Sequence, residues 1–126
     1  MSEATVLNSF RRRVAAHLAD GTSLKALAYM AFGDGGHASD LTPLPPDPDA
    51  TELGHELLRK PLGSLTHPDS YSTKGTCLIE TSELVGKAVS EAALVDSAGN
   101  LVAVKNFSPK VKDADERYEI NLTMKL

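Results

Sequence analysis

The stretch that decides the fold is Ala88–Phe107, AVSEAALVDSAGNLVAVKNF. Its two short runs of Val, Leu and Ala have the length and composition that are typical of strands. Between the runs, Gly99 and Asn100 tolerate a positive φ, and the Asp96 side chain can accept hydrogen bonds from its own backbone. We therefore predict a β-hairpin over residues 88–107, with a loop of about four or five residues.

Further strands are predicted on both sides of the hairpin. Apolar and polar residues alternate strictly from Tyr118 to Leu126, which predicts a half-buried strand. The run Thr76–Thr81, TCLIET, predicts another short strand. Leu24–Phe32 also alternates, but its residues have high helix propensity, so strand and helix both stay open there. Together these segments favour a mainly antiparallel sheet of about five or six strands.

An amphipathic helix is predicted over residues 2–20. Its apolar residues recur at steps of three and four, and Asp20-Gly21 provides a left-handed C-terminal cap. The apolar stripe includes Val6, Leu7, Phe10 and Val14. A stripe of this kind packs on a sheet or against another chain.

A polar, proline-rich segment occupies residues 37–50, HASDLTPLPPDPDA. Its prolines remove backbone donors and favour extended structure, so we predict a surface loop or arm outside the core. Thr51–Leu58 predicts a short second helix, with Glu52 in its first turn. The predicted fold class is therefore α+β, with an N-terminal helix, a mainly antiparallel sheet, a long proline-rich loop and a short second helix. We expect one domain over residues 1–126.

Composition and charge limit the classes of function. The net charge is −4, which disfavours nucleic acid as the main partner, and the basic run Arg11–Arg13 is interpreted as a solvated helix face. The single cysteine, Cys77, excludes an internal disulfide and fits a reducing compartment. No apolar stretch has the length of a membrane span, so no membrane partner is expected.

Two local features suggest chemistry. The turn Gly33–His37, GDGGH, lacks the spacing of a phosphate-binding loop and is interpreted as a tight turn. Asp34 and His37 nevertheless allow a second hypothesis, a small metal-dependent enzyme or ligand-binding protein in which folding brings another His or Glu near them. Glu91 lies inside an apolar run. It points to solvent, or it is buried and needs a partner, for which Arg59 and Lys60 are candidates.

Several stretches together resemble one family, the N-terminal domain of the tail-collar fibre proteins of contractile-tailed phages and prophages. The stretches that carry the resemblance are, in chain order, Met30–Gly35, Thr42–Ala50, Leu53–Arg59, Glu91–Ala103 and Tyr118–Leu126. The positions that match the motifs are Gly33, Asp34, Gly35, Glu56, Arg59, Glu91, Leu94, Asp96 and Gly99. The chain departs from the motifs at Ala93, where the family usually has Gly, and at Val95, where an aromatic residue is common.

The resemblance implies a structural component of a phage or prophage tail that attaches to the baseplate or collar and oligomerises. It implies no enzymatic activity, cofactor or metal. The expected partners are further copies of the chain, as in a trimer, and other tail or baseplate proteins. The expected location is the virion tail, after a stage in the bacterial cytoplasm. The stripe Val6, Leu7, Phe10 and Val14 is the hypothetical oligomer interface, and the proline-rich arm is a candidate clasp for a neighbour.

Overall fold

Two facing sheets form the body of the protein in the computed structural model, which describes residues 2–126; Met1 lies outside them. The elements are β1 (Ser2–Glu3), β2 (Thr5–Val6), α1 (Asn8–Asp20), β3 (Leu27–Gly33), β4 (Glu56–Pro61), β5 (Ser64–Thr66), β6 (Ser72–Ile79), β7 (Ala88–Asp96), β8 (Leu101–Val111) and β9 (Tyr118–Lys125). Sheet A has the strand order β1-β9-β6-β5, and sheet B has the order β2-β8-β7-β3-β4. Neighbouring strands run antiparallel, except that β1 and β9 are parallel.

The core fills the space between the two sheets. Alternate residues of β3 and β7, among them Phe32 and Leu94, point from sheet B towards Ile79 and Leu122 of sheet A, and all four are buried. Burying apolar side chains of this size contributes about 1.5–3 kcal/mol each. The two-residue period of these strands therefore creates the sandwich, because it places one apolar face of each sheet against the other.

The predicted α+β class is wrong, because the protein is a β-sandwich with one helix in its described part. The second helix, expected over Thr51–Leu58, does not form. Instead Glu56–Pro61 pairs with β3 as an edge strand, with Leu58 opposite Phe32. Helix propensity is a weak preference, and here the pairing with a strand far away in sequence overrides it.

The N-terminal helix begins at Asn8 and not at Ser2. The residues before it form β1, which joins sheet A, and β2, which joins sheet B. Between these two strands, the backbone N–H of Ala4 donates to the carbonyl of Thr123. The helix ends as expected at Gly21, whose φ is +77°. The helix is too short and too polar to cross a bilayer, and it is the only one in the described residues. The open alternative at Leu24–Phe32 resolves as strand β3.

The proline-rich segment does not project freely from the protein but is hydrogen-bonded to the rest of the chain. We call residues 36–53 the strap, because they lie across the outer face of sheet B. Leu44 donates from its backbone to Gly36 and accepts from the Asn106 side chain, and Pro48 accepts from the backbone of Asn8. Leu53 is buried in a second apolar cluster on this face. The strap therefore closes the side of sheet B that the other sheet leaves open.

Asp96 organises the loop between β7 and β8. Its carboxylate accepts from the backbone N–H groups of Ala98 and Asn100, and it lies 3.8 Å from Arg13 of α1. Arg13 also donates to the Leu101 carbonyl at 2.9 Å. This arginine therefore ties the helix to the hairpin, and the interpretation of Arg11–Arg13 as a solvated face does not hold for it.

Replacing Gly99 with Val is expected to destabilise the hairpin. Gly99 has a φ of +91°, a conformation that a β-branched residue adopts only with strain, so the free energy of unfolding should fall by about 1–3 kcal/mol. Thermal melting of the purified variant measures the loss. An unchanged melting temperature would show that the loop tolerates Val without strain.

Candidate functional site: a buried carboxylate that holds both ends of the strap

Glu91 is the central residue of the candidate site. It lies on β7 opposite Gly33 of β3, and only 2 % of its surface is exposed. Its carboxylate accepts three backbone hydrogen bonds of 2.8 Å each, two on Oε2 from Gly35 and His55 and one on Oε1 from Gly54. Gly35 precedes the strap and Gly54 follows it. One buried side chain therefore fixes both ends of the strap.

The glycines around Glu91 are required by the close approach of backbone segments. A Cβ atom on Gly33 would overlap the His55 carbonyl and the Glu91 carboxylate. A Cβ on Gly35 would lie 2.6 Å from the His55 nitrogen, and one on Gly54 would lie 2.7 Å from the Gly35 carbonyl. Only glycine allows backbone to approach this closely. The backbone of the glycine-rich stretch thus binds a carboxylate of its own chain.

Ser90 forms the second polar contact of the site. Its buried hydroxyl accepts from the backbone of Gly36 at 2.9 Å and lies 2.7 Å from Nδ1 of His37. His37 also forms a β-bridge with Pro43 inside the strap. Ser90 therefore holds the first residues of the strap in the same way that Glu91 holds its ends.

The two residues of the metal hypothesis bind different partners. Asp34 Oδ1 lies 2.6 Å from Nδ1 of His55, whereas His37 contacts Ser90. Within residues 2–126, no group of three His, Cys, Asp or Glu side chains is placed to hold a metal ion. The structure therefore gives the second hypothesis no support.

Arg59 and Lys60, the candidate partners of Glu91, pair with other carboxylates. Arg59 forms a bidentate salt bridge with Glu56, with hydrogen bonds of 2.8 and 3.1 Å. It also donates to the Gly99 carbonyl at 3.0 Å. It therefore joins the edge strand β4 to the hairpin loop. Lys60 lies 2.6 Å from Glu83. Burial alone would raise the pKa of Glu83, but hydrogen bonds from Lys60 and from the Glu80 backbone more than offset it and leave that pKa lowered.

The residues of the hypothetical oligomer interface lie in different environments. Val6 is in β2, Leu7 precedes the helix, and both are buried inside the protomer. Phe10 and Val14 lie on α1 and are half-buried, and Phe10 packs against the core beneath the Arg13 guanidinium. Of the stripe, only Phe10 and Val14 thus retain surface that a partner can touch.

The sequence pointed to Glu91 and to the glycine-rich turn but not to their true partners. Leu94, a further motif position, is a fully buried core residue and belongs to no polar contact. Gly54, His55 and Ser90 were missed, since they contribute backbone donors and one hydroxyl that no side-chain pattern marks. Gly54 carried no usable signal, because the sequence favoured a helix over Thr51–Leu58.

The fold and these contacts define a class, a small β-sandwich whose buried polar side chains bind its own backbone. A family model described as phage tail-collar fibre protein, N-terminal, matches residues 1–125. The chain therefore belongs to the phage tail-collar fibre protein family, as its motifs predicted, and it is a structural component of a phage tail. No curated protein matches the chain.

Proposed function

We propose that this domain attaches to the baseplate or collar of a phage tail and does so as a homo-oligomer, with three as the expected number of copies. Its partners are further copies of the chain and other tail or baseplate proteins. It passes through the bacterial cytoplasm before assembly into the tail. The observation that carries the proposal is the family match, which spans nearly the whole chain.

The surface is consistent with docking. Several large apolar side chains are exposed, namely Leu18, Leu24, Leu41, Leu44, Leu65, Tyr71, Leu78, Val85, Val111 and Leu126. In contrast, the polar groups of the candidate site bind backbone of the same chain and are unavailable to a substrate. Apolar residues at a surface favour contacts with other proteins where they lie together. The second observation favours an assembly role over chemistry, and the first provides candidate contact residues.

Two measurements test the proposal. Light scattering on the purified protein gives its mass in solution, and a multiple of the protomer mass is expected. Tails purified from the phage or prophage that encodes the chain should contain it, and tails from a deletion strain should lack fibres at the collar or baseplate. A monomer at every concentration would contradict self-association, and intact fibres on the deletion tails would contradict attachment.

Replacing Phe10 with Glu separates folding from assembly at the helix. Because Phe10 packs against the core, a charge there should lower the free energy of unfolding by about 2–4 kcal/mol. Thermal melting measures this loss, and sedimentation measures the mass of the folded fraction. Leu18→Glu is the matched control, because Leu18 is 78 % exposed on the same helix. A smaller mass with an unchanged melting temperature would instead identify the helix as the interface.

A further inference from the structure

An open cleft lies at one edge of the sandwich, between β8 and β9. The N-terminal strands cover only part of this edge, because β2 pairs with Ala103 and Val104 of β8 and β1 pairs with Leu122 and Thr123 of β9. Beyond them, residues 105, 107, 108 and 110 of β8 and residues 117–122 at and before the start of β9 line a cleft of about 450 Å³. We call it the β8–β9 cleft.

The β8–β9 cleft has both apolar and basic residues in its lining. Phe107, Tyr118 and Ile120 line it and are half-buried against the core. Lys105 and Lys110 line it as well, and neither forms an ion pair with any of residues 2–126. The other charged residues of the lining are Arg117, which pairs with Glu80, and Glu119, so positive charge prevails. The fold itself therefore gives the two lysines no partner, and a ligand with an apolar side chain next to a carboxylate would match the cleft.

The edge of β8 is poorly suited to receive an added strand. Its pairing with β7 shifts register between Val89 and Glu91, so residues 107–109 bulge. Pro109 lacks a backbone donor, and bulges, prolines and lysines are the features that prevent strand addition at sheet edges. The cleft is thus better matched to a protruding side chain than to an extended segment.

The tip of the strap presents such a side chain. Residues 38–42 form a tight turn, in which Ala38 donates to Thr42 and Leu41 donates to Ala38 through the backbone, both at 2.9 Å. Leu41 has a φ of +68°, which is uncommon for leucine, and the residue is 60 % exposed. Its neighbour Asp40 is also exposed. The chain holds a leucine in a strained conformation where it contacts little of its own protomer.

We propose that the strap tip of one copy, Asp40–Leu41, inserts into the β8–β9 cleft of a second copy. Leu41 packs on Phe107 and Ile120 of the neighbour, and Asp40 pairs with Lys105 or Lys110. Because the tip and the cleft are different surfaces, the contact joins copies head to tail, and it forms a ring when the rotation from one copy to the next closes, as the proposed trimer requires. The inference rests on the proposed self-association and identifies the surfaces that form it.

Sedimentation velocity over a range of concentrations tests the contact with two variants. Leu41→Gly should weaken self-association about tenfold or more while leaving the melting temperature unchanged or raised, because glycine removes an interfacial anchor and relieves the positive φ. Lys105→Glu/Lys110→Glu should weaken it similarly through repulsion with Asp40, and adding Asp40→Lys to that variant should restore association. Lys25→Glu, which reverses an exposed charge away from the cleft, is the control and should associate like the wild type.

The outcomes separate this contact from the broader proposal. An oligomeric wild type whose mass neither variant changes would overturn the strap–cleft contact and leave self-association standing. A wild type that is monomeric at its highest attainable concentration would overturn both. Weakened association in both variants, with rescue by Asp40→Lys, would support the contact, since a merely structural role for Lys105 and Lys110 predicts no rescue.

Discussion

Glu91→Gln is expected to lower the free energy of unfolding by about 2–4 kcal/mol. The Glu91 carboxylate accepts three backbone hydrogen bonds and makes no ion pair in the described part of the chain. Glutamine keeps the shape of the side chain but offers only one acceptor oxygen. Its NH2 group would face a backbone N–H, so at least one buried donor loses its partner.

The loss should also release the strap. Glu91 holds the residues on either side of it, so limited proteolysis should cut within residues 36–53 much faster in the variant than in the wild type. Denaturant unfolding measures the stability, and Glu52→Gln, an exposed position beside the site, is the matched control with an expected change within about 0.5 kcal/mol. Equal stability and equal cleavage for Glu91→Gln and the wild type would contradict the assigned role of the carboxylate.

Gly33→Ala is expected to have the other large effect, a loss of about 3 kcal/mol or more. The added methyl group would overlap the His55 carbonyl and the Glu91 carboxylate, so either β4 moves away from β3 or the carboxylate leaves its donors. Both movements break buried hydrogen bonds. Thermal melting, or failure to obtain folded protein at the growth temperature, measures the effect.

Gly63→Ala provides the comparison for that substitution. A Cβ on Gly63 would lie 3.3 Å from the Thr76 carbonyl, the single neighbouring atom within 4 Å, and the residue is exposed. We expect a change of at most about 1 kcal/mol there. If the two variants melted at the same temperature, close backbone approach at Gly33 would not explain why glycine occupies that position.

The elements that the sequence predicted well are those in which one pattern dominates. The hairpin predicted over residues 88–107 and the last strand have apolar runs or strict alternation, together with turn residues such as Gly99. The structure has strands at these places, and the second strand of the hairpin continues to Val111. The family motifs also identified Gly33 and Glu91, although they did not reveal that the two residues meet on neighbouring strands.

The remaining features depend on contacts between residues far apart in sequence. Thr51–Leu58 has helical propensity, but pairing with β3 determines its structure. The spacing of Ala4 and Val6 fits a helical stripe and a strand equally well. This segment is extended because β8 and β9 have open edges with which β1 and β2 can pair. The partners of Glu91 could not be predicted from side-chain types, because backbone N–H groups of Gly35, Gly54 and His55 surround it.

The N-terminal arm has a mechanical consequence for a tail component. Ser2 and Glu3 run parallel to β9, so a pull applied to this arm and to the end of β9 in opposite directions slides the two strands past each other. Their hydrogen bonds then bear the force together and do not open one after another. Thr5 and Val6 pass part of the same force to β8, so tension along the chain reaches both layers of the sandwich at once.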